Sequence, residues 1–171
     1  MKVYGVIGWK NSGKTGLMER LITEIRARGL SVSSIKHAHH AFDIDQPGKD
    51  SFRHRQAGAG EVLLASRHRW VLMHENETGA EPALDALLAR LSPVDLVLVE
   101  GYKRDSHPKI EAHRTATGQP LIAPDDPTVR AVASENLADL PAMGWHGAGF
   151  DLNDAAGIAD FILTDLGLSA R

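Results

Sequence analysis

Gly8-Trp9-Lys10-Asn11-Ser12-Gly13-Lys14-Thr15 satisfies the spacing G-x-x-x-x-G-K-[ST] in full. That spacing suits a phosphate chain. Gly8 and Gly13 let the backbone curl so that successive N–H groups point inward. Those donors, with the positive end of the helix that follows, hold phosphate oxygens. Lys14 is placed to reach the β- and γ-phosphates, and the Thr15 hydroxyl to bind Mg²⁺. The whole run, Gly8, Trp9, Lys10, Asn11, Ser12, Gly13, Lys14, Thr15 and Gly16, is read as nucleotide-binding. The competing reading is a tight strand-to-helix turn with an incidental lysine.

A phosphate-bound Mg²⁺ calls for an acid at the end of a neighbouring strand. Asp95-Leu96-Val97-Leu98-Val99-Glu100-Gly101 offers Glu100 directly after an apolar run. That is the carboxyl edge, where open α/β sheets bind ligands. Thr15 and Glu100 are therefore the expected metal ligands, and Gly101 would let the backbone approach the γ-phosphate. Asp95 begins the same strand, far from the phosphates, and reads as structural. Lys36-His37-Ala38-His39-His40-Ala41-Phe42-Asp43-Ile44-Asp45 follows the second strand, on the same edge. It reads as a switch-like loop, with Asp43 or Asp45 orienting a water or completing the Mg²⁺ shell. Lys14, Glu100, Asp43 and Asp45 are thus the catalytic candidates. Lys36 is expected to touch phosphate or an anionic substrate, and His37 to face the nucleotide. The three histidines also allow a transition-metal site, although their spacing is that of a loop. Behind the loop, Arg53 and Arg55 lie two apart on a short helix and do not share a face. One can meet an anion while the other pairs with a carboxylate.

These residues need a scaffold to hold them. Val3 to Ile7 is a short β-branched run ended by Gly8. Leu17, Leu21, Ile22 and Ile25 recur at helical spacing up to Gly29, and Ser31 to Lys36 reads as a second strand. Strand, glycine-rich loop, helix and strand make a βαβ unit, which builds parallel sheets. Asp50 is expected to cap a helix through Gln56. Glu61 to Ala65 and Trp70 to His74 read as a hairpin turned by Ser66-Arg67-His68-Arg69, Pro82 to Leu91 as a helix and Val94 to Val99 as a buried strand. Lys109 to His113, Gln119 to Ala123 and Val129 to Ala133 look like short strands. Asn153 or Asp154 would cap a last helix carrying Ile158, Phe161, Ile162 and Leu166. The expected fold is α/β: one P-loop NTPase three-layer domain over residues 1–171, with a mainly parallel sheet and extra short antiparallel strands. Strands of the last third are expected to be free to pair across a two-fold axis.

Composition narrows the function. With 171 residues, 43% hydrophobic and 24% charged, the chain is globular rather than disordered. It has no cysteine, which excludes disulfides and thiolate metal sites. Lys plus Arg is 19 against 22 for Asp plus Glu, a net charge of -3 that argues against nucleic acid as a partner. No apolar run is long enough for a membrane span, and the N-terminus lacks a signal peptide's apolar region. The expectation is a soluble cytoplasmic protein.

Taken together, the chain resembles the MobB family of molybdopterin-guanine dinucleotide biosynthesis adapter proteins. The resemblance rests on Gly8–Thr15, Ser34-Ile35-Lys36-His37-Ala38-His39-His40, Pro47-Gly48-Lys49-Asp50-Ser51 with Arg55 and Ala57-Gly58-Ala59. It continues through Leu98-Val99-Glu100-Gly101-Tyr102-Lys103 and Ala131-Val132-Ala133-Ser134. It implies a protein that binds GTP and Mg²⁺, hydrolyses GTP weakly and forms a homodimer. It also implies partnership with the guanylyltransferase MobA, which joins GMP to molybdopterin. The adapter would be dispensable for that transfer, supplying GTP or handing over molybdopterin or its guanine dinucleotide. Two positions depart from the family's pattern: Ala41 replaces an Asp after the histidines, and Glu135 stands where the family often has Asp. A carboxylate at Glu135 would read guanine N1–H and N2–H₂. There is no N-K-x-D signature, so the preference for GTP rests on the resemblance. Two other readings stand beside it: a small-molecule P-loop kinase, and a metallochaperone-like NTPase holding metal on His37, His39 and His40.

Overall fold

The computed structural model describes residues 1–38, 43–76 and 79–171. Contacts divide the chain into two compact units, Met1–His37 with Ala89–Arg171, and Ala38–Leu88.

The first unit is built on a sheet in the order β2-β5-β1-β6-β7-β8. Its strands are β1 (Lys2–Ile7), β2 (Val32–Lys36), β5 (Leu96–Glu100), β6 (Lys109–His113), β7 (Val129–Ser134) and β8 (Ala148–Asp151). All neighbours pair parallel. Both faces are covered, so β5 is buried throughout and reads as an unbroken apolar run up to Glu100. On one face Tyr4, Val6, Leu96 and Leu98 pack with Leu17, Leu21 and Ile25 of α1 (Lys14–Ala27) and with Ile158 and Ile162 of α4 (Ala155–Leu166). Asp154 caps α4, its carboxylate accepting the Gly157 N–H at 2.9 Å. On the other face Ile7, Val129 and Val132 pack with Leu121, Ala123 and Leu140. There 3₁₀ turns over Ala123–Asp125, Leu137–Asp139 and Pro141–Met143 stand in place of helices.

The second unit holds α2 (Asp50–Gln56), a two-stranded antiparallel hairpin of β3 (Glu61–Ala65) and β4 (Trp70–His74), and the short α3 (Leu84–Leu88). The Ser66 N–H closes the hairpin on the Arg69 carbonyl at 2.8 Å, at the turn read from the sequence.

The P-loop NTPase architecture is as expected, a mainly parallel sheet with an added antiparallel pair. Four expectations are corrected. Gln119 to Ala123 is not a strand, because the N–H groups of Ile122 and Ala123 donate to the buried Glu111 carboxylate, at 2.9 and 2.8 Å. The helix read over Pro82 to Leu91 shrinks to Leu84–Leu88. Lys49, not Asp50, takes the cap position of α2. The strands of the last third pair within the chain: β7 joins β6, and β8, unforeseen because Gly147 and Gly149 interrupt its pattern, joins β7.

Asp95 has the structural part assigned to it. Its Oδ2 accepts the N–H and hydroxyl of Ser31 at 2.8 and 2.6 Å, and its Oδ1 meets Arg171 at 2.6 Å. The Ser31 hydroxyl, then its N–H, hold the carboxyl below the usual carboxylate range. A lowered folded-state value means the stabilisation is complete above the unfolded value, about 4, and is lost as pH falls through the folded one. Asp95→Asn is expected to lower Tm by a few degrees at neutral pH, with the gap to wild type closing in acid. Calorimetric melts at both pH values check this, and a gap of constant size would show that the charge is irrelevant.

Candidate functional site

Three adjacent strands end together at the carboxyl edge of the sheet. In register, Lys36 of β2 lies opposite Glu100 of β5, and Glu100 lies opposite Val6 of β1. The Glu100 carboxylate thereby meets two groups from distant parts of the chain. Thr15 Oγ1 donates to Glu100 Oε1 at 3.4 Å, and Lys36 Nζ stands 3.2 Å from the same oxygen. Glu100 is almost fully buried, while the Lys36 side chain is 61% exposed.

The loop between β1 and α1 has the backbone its glycines imply. Gly8, Asn11 and Gly13 take positive φ values of 144°, 65° and 93°. A Cβ on Gly8 would sit 2.3 Å from the Ala112 carbonyl oxygen and 2.5 Å from Ser12 Oγ, so β6 walls the loop where only glycine fits. Gly13 occupies the cap position of α1 with no side-chain cap, so the first N–H groups of the helix stay available to an anion. Lys14 Nζ donates to the Trp9 carbonyl at 2.6 Å across this curl. Burial pushes the Lys14 pKa down, Glu100 opposes that shift, and Lys103 and Lys36 add to it. Trp9 is fixed by its Nε1–H, which donates to the Pro120 carbonyl at 2.8 Å. Gly101, with φ 97°, turns the chain beside His37, whose Cβ would lie 2.8 Å from a Cβ at position 101. The His37 ring packs on Tyr102, with centroids 4.8 Å apart.

Other expected residues have partners of their own. Glu135 follows β7 and pairs with Arg114 Nε at 3.0 Å. Arg114 follows β6, with Nε 3.2 Å from where a Cβ on Gly13 would be. Glu135 thus stands one side chain away from the phosphate loop. Asp43 and Asp45 belong to the second unit, where Arg55 draws them together. Arg55 Nη1 lies 2.9 Å from Asp43 and 3.4 Å from Asp45, and its Nε lies 2.5 Å from Glu75. Asp45 also accepts the Ser51 hydroxyl at 2.8 Å. Asp43 is held below the usual carboxylate range by the Asp45 N–H and then by Arg55. Among the described residues, Arg55 is thus the arginine of α2 that pairs with carboxylates. His39 and His40 lie outside the described residues. Among the described residues no cluster of three or more His, Cys, Asp or Glu could hold a metal ion.

The sequence reading gave no role to Lys103 or Arg114. Lys103 Nζ lies 4.2 Å from the centroid of the Trp9 ring. A cation just past the carboxyl end of a strand next to β1 was the signal for each.

Does the donor set fit a nucleotide and Mg²⁺? The cradle at Gly8 and Gly13 tolerates no side chain, and Ser12 Oγ is buried without a hydrogen-bond partner. A hydroxyl and a carboxylate converge beside a half-buried ammonium, which is oxygen chemistry suited to Mg²⁺ and positive charge suited to phosphate. The residues fit.

Fold and site together define an α/β protein of the P-loop NTPase fold. The family model described as "MobB: Molybdopterin guanine dinucleotide synthesis protein B" matches residues 3–135. The chain belongs to this family. It is 42% identical to the molybdopterin-guanine dinucleotide biosynthesis adapter protein of Escherichia coli (strain K12) over 158 residues, 91% of this chain and 87% of that one. It is 41% identical to the protein of that name from Haemophilus influenzae, covering 92% and 85%. The crystal structure of a MobB homolog from Bacillus stearothermophilus superposes with a TM-score of 0.69 at 27% identity, covering 98% of this chain and 99% of that one. A crystal structure of molybdopterin-guanine biosynthesis protein B superposes with a TM-score of 0.74 at 25% identity, covering 96% and 99%. No helix among the described residues is long and apolar enough to cross a membrane.

Proposed function

We propose that this protein is a GTP-binding adapter in molybdopterin guanine dinucleotide synthesis, hydrolysing GTP slowly and serving the guanylyltransferase MobA. The observation that carries the nucleotide half is the meeting of Thr15 and Glu100, 85 residues apart, beside Lys14 at the mouth of the glycine cradle. The adapter half is supported by the names of the 42% and 41% identical relatives.

In this reading the backbone of Gly8 to Gly16 and the Lys14 ammonium bind the phosphates. Thr15 and Glu100 hold Mg²⁺, which when bound neutralises charge between the β- and γ-phosphates. Lys36 anchors Glu100 on its open side, and Gly101 and His37 shape the turn beside it. Glu135 reads guanine from the end of β7, which requires it to exchange Arg114 for the base. Hydrolysis is slow because, among the described residues, the site offers binding and charge and little else. Asp43 and Asp45 are held by Arg55, and a part for either in orienting water requires Arg55 to release it. The same grip on Arg55 weakens the kinase alternative, which needs arginines free to close over phosphates. We further propose a cytoplasmic homodimer with molybdopterin or its guanine dinucleotide as cargo. Exposed Leu63, Leu64, Trp70 and Leu72 on the hairpin support the dimer.

Glu100→Gln tests the metal role. It is expected to slow Mg²⁺-dependent GTP hydrolysis on the order of 10–100-fold while weakening nucleotide binding much less. Phosphate-release and titration assays on one preparation separate the two, and an equal loss in both would make Glu100 a structural residue.

A further inference from the structure

Charge around the loop does not balance. Lys36 and Lys103 both repel the Lys14 ammonium, and Glu100 is the carboxylate that Lys14 and Lys36 share. Lys36 takes the Glu100 oxygen. Lys103 has no such partner, since among the described residues no carboxylate lies within ion-pair distance of it. The acid it senses is Glu111, which already accepts the N–H groups of Ile122 and Ala123. Its ammonium rests instead on the face of the Trp9 indole, while Lys14 donates to the carbonyl of the same residue. One loop residue, pinned by Pro120, therefore carries two ammonium groups.

Position decides what Lys103 awaits. It lies three residues beyond Glu100, past the carboxyl end of β5, whereas Arg114 and Glu135 follow β6 and β7 on the other side of β1. Glu100 at the end of β5 would hold the Mg²⁺ that offsets charge on the terminal phosphates, so the β5 side is the side where a terminal phosphate would lie. A cation over an indole is held more weakly than one bonded to phosphate, and its partial desolvation favours the exchange. Resting on the nucleotide reading given above, we propose that Lys103 is a ligand of the terminal phosphate, parked on Trp9 until a nucleoside triphosphate binds.

The test is calorimetric titration of the whole chain with Mg²⁺ and either GTPγS or GDP. Lys103→Met keeps the apolar stem over Trp9 and removes the charge. It is expected to weaken GTPγS by about tenfold or more while GDP stays within about twofold of wild type. Lys103→Arg, which keeps charge and indole contact, is expected to retain the preference for triphosphate. Retained GDP binding by Lys103→Met also shows that the variant is folded. Unchanged GTPγS affinity, or equal loss of both nucleotides, overturns the role of Lys103 and leaves the loop reading intact. Wild type binding neither nucleotide removes the loop reading itself, and the proposal with it.

Discussion

Lys14→Ala is expected to abolish GTP binding, a loss of at least about 100-fold where wild type saturates. The side chain spans the cradle to the Trp9 carbonyl and is half-buried there. Burial is the first cause of its lowered pKa, so the folded chain pays to keep the charge at neutral pH. The sign follows from linkage: with the folded value below the unfolded one, the protonated group opposes folding, and that cost is relieved only as pH rises between the two. Removing the lysine should therefore leave the Tm unchanged or raised. Lost affinity together with an unlowered Tm would mark Lys14 as a residue placed for a ligand rather than for the fold. Calorimetry with GTP and ATP on both proteins, with a melt of each, reads both quantities. Full GTP affinity in Lys14→Ala would refute the phosphate-loop assignment. A preference for ATP in wild type would instead count against guanine and turn attention from Glu135.

The half of the site on β1, β2 and β5 was legible in the sequence because local signals agree there. A strand run, a glycine-bounded loop and a helical apolar face follow one another without a break. Lys36 and Glu100, each the last residue of its strand, then meet through parallel register alone. The β6 side was hidden because its decisive groups contradict local expectation. Glu111 is a buried acid in mid-strand, and by capturing two N–H groups it turns an apparent strand at Gln119 to Ala123 into a covering turn. No periodicity signals that capture. Arg114 and Lys103 carried no reading until the sheet order set them on either side of the loop. Asp43 and Asp45 were read as phosphate-side carboxylates from their place in the chain. Arg55, 12 and 10 residues further on, pairs with both of them inside the second unit, a contact that no local signal announces.

Gly8→Ala is expected to damage both fold and binding. At φ 144° an L-residue is strained wherever space allows, and here there is none. The new Cβ would meet the Ala112 carbonyl oxygen at 2.3 Å, and that oxygen belongs to a central strand. Ser12 Oγ, at 2.5 Å, is buried and has little room to turn. Backbone strain and overpacking together suggest a loss of about 2–5 kcal/mol. For a chain of this size that is a fall in Tm of roughly 5–15 °C. Nucleotide affinity should vanish even below the melt, because the loop can admit the methyl only by opening the curl that gathers its N–H groups. Gly118→Ala is the control, since Gly118 also has positive φ, 64°, but open space around it. Its cost should be the backbone term alone, with GTP affinity untouched. Melts and titrations of both variants decide the matter. If Gly8→Ala behaves like Gly118→Ala, the contact between β6 and the loop does not shape the phosphate cradle.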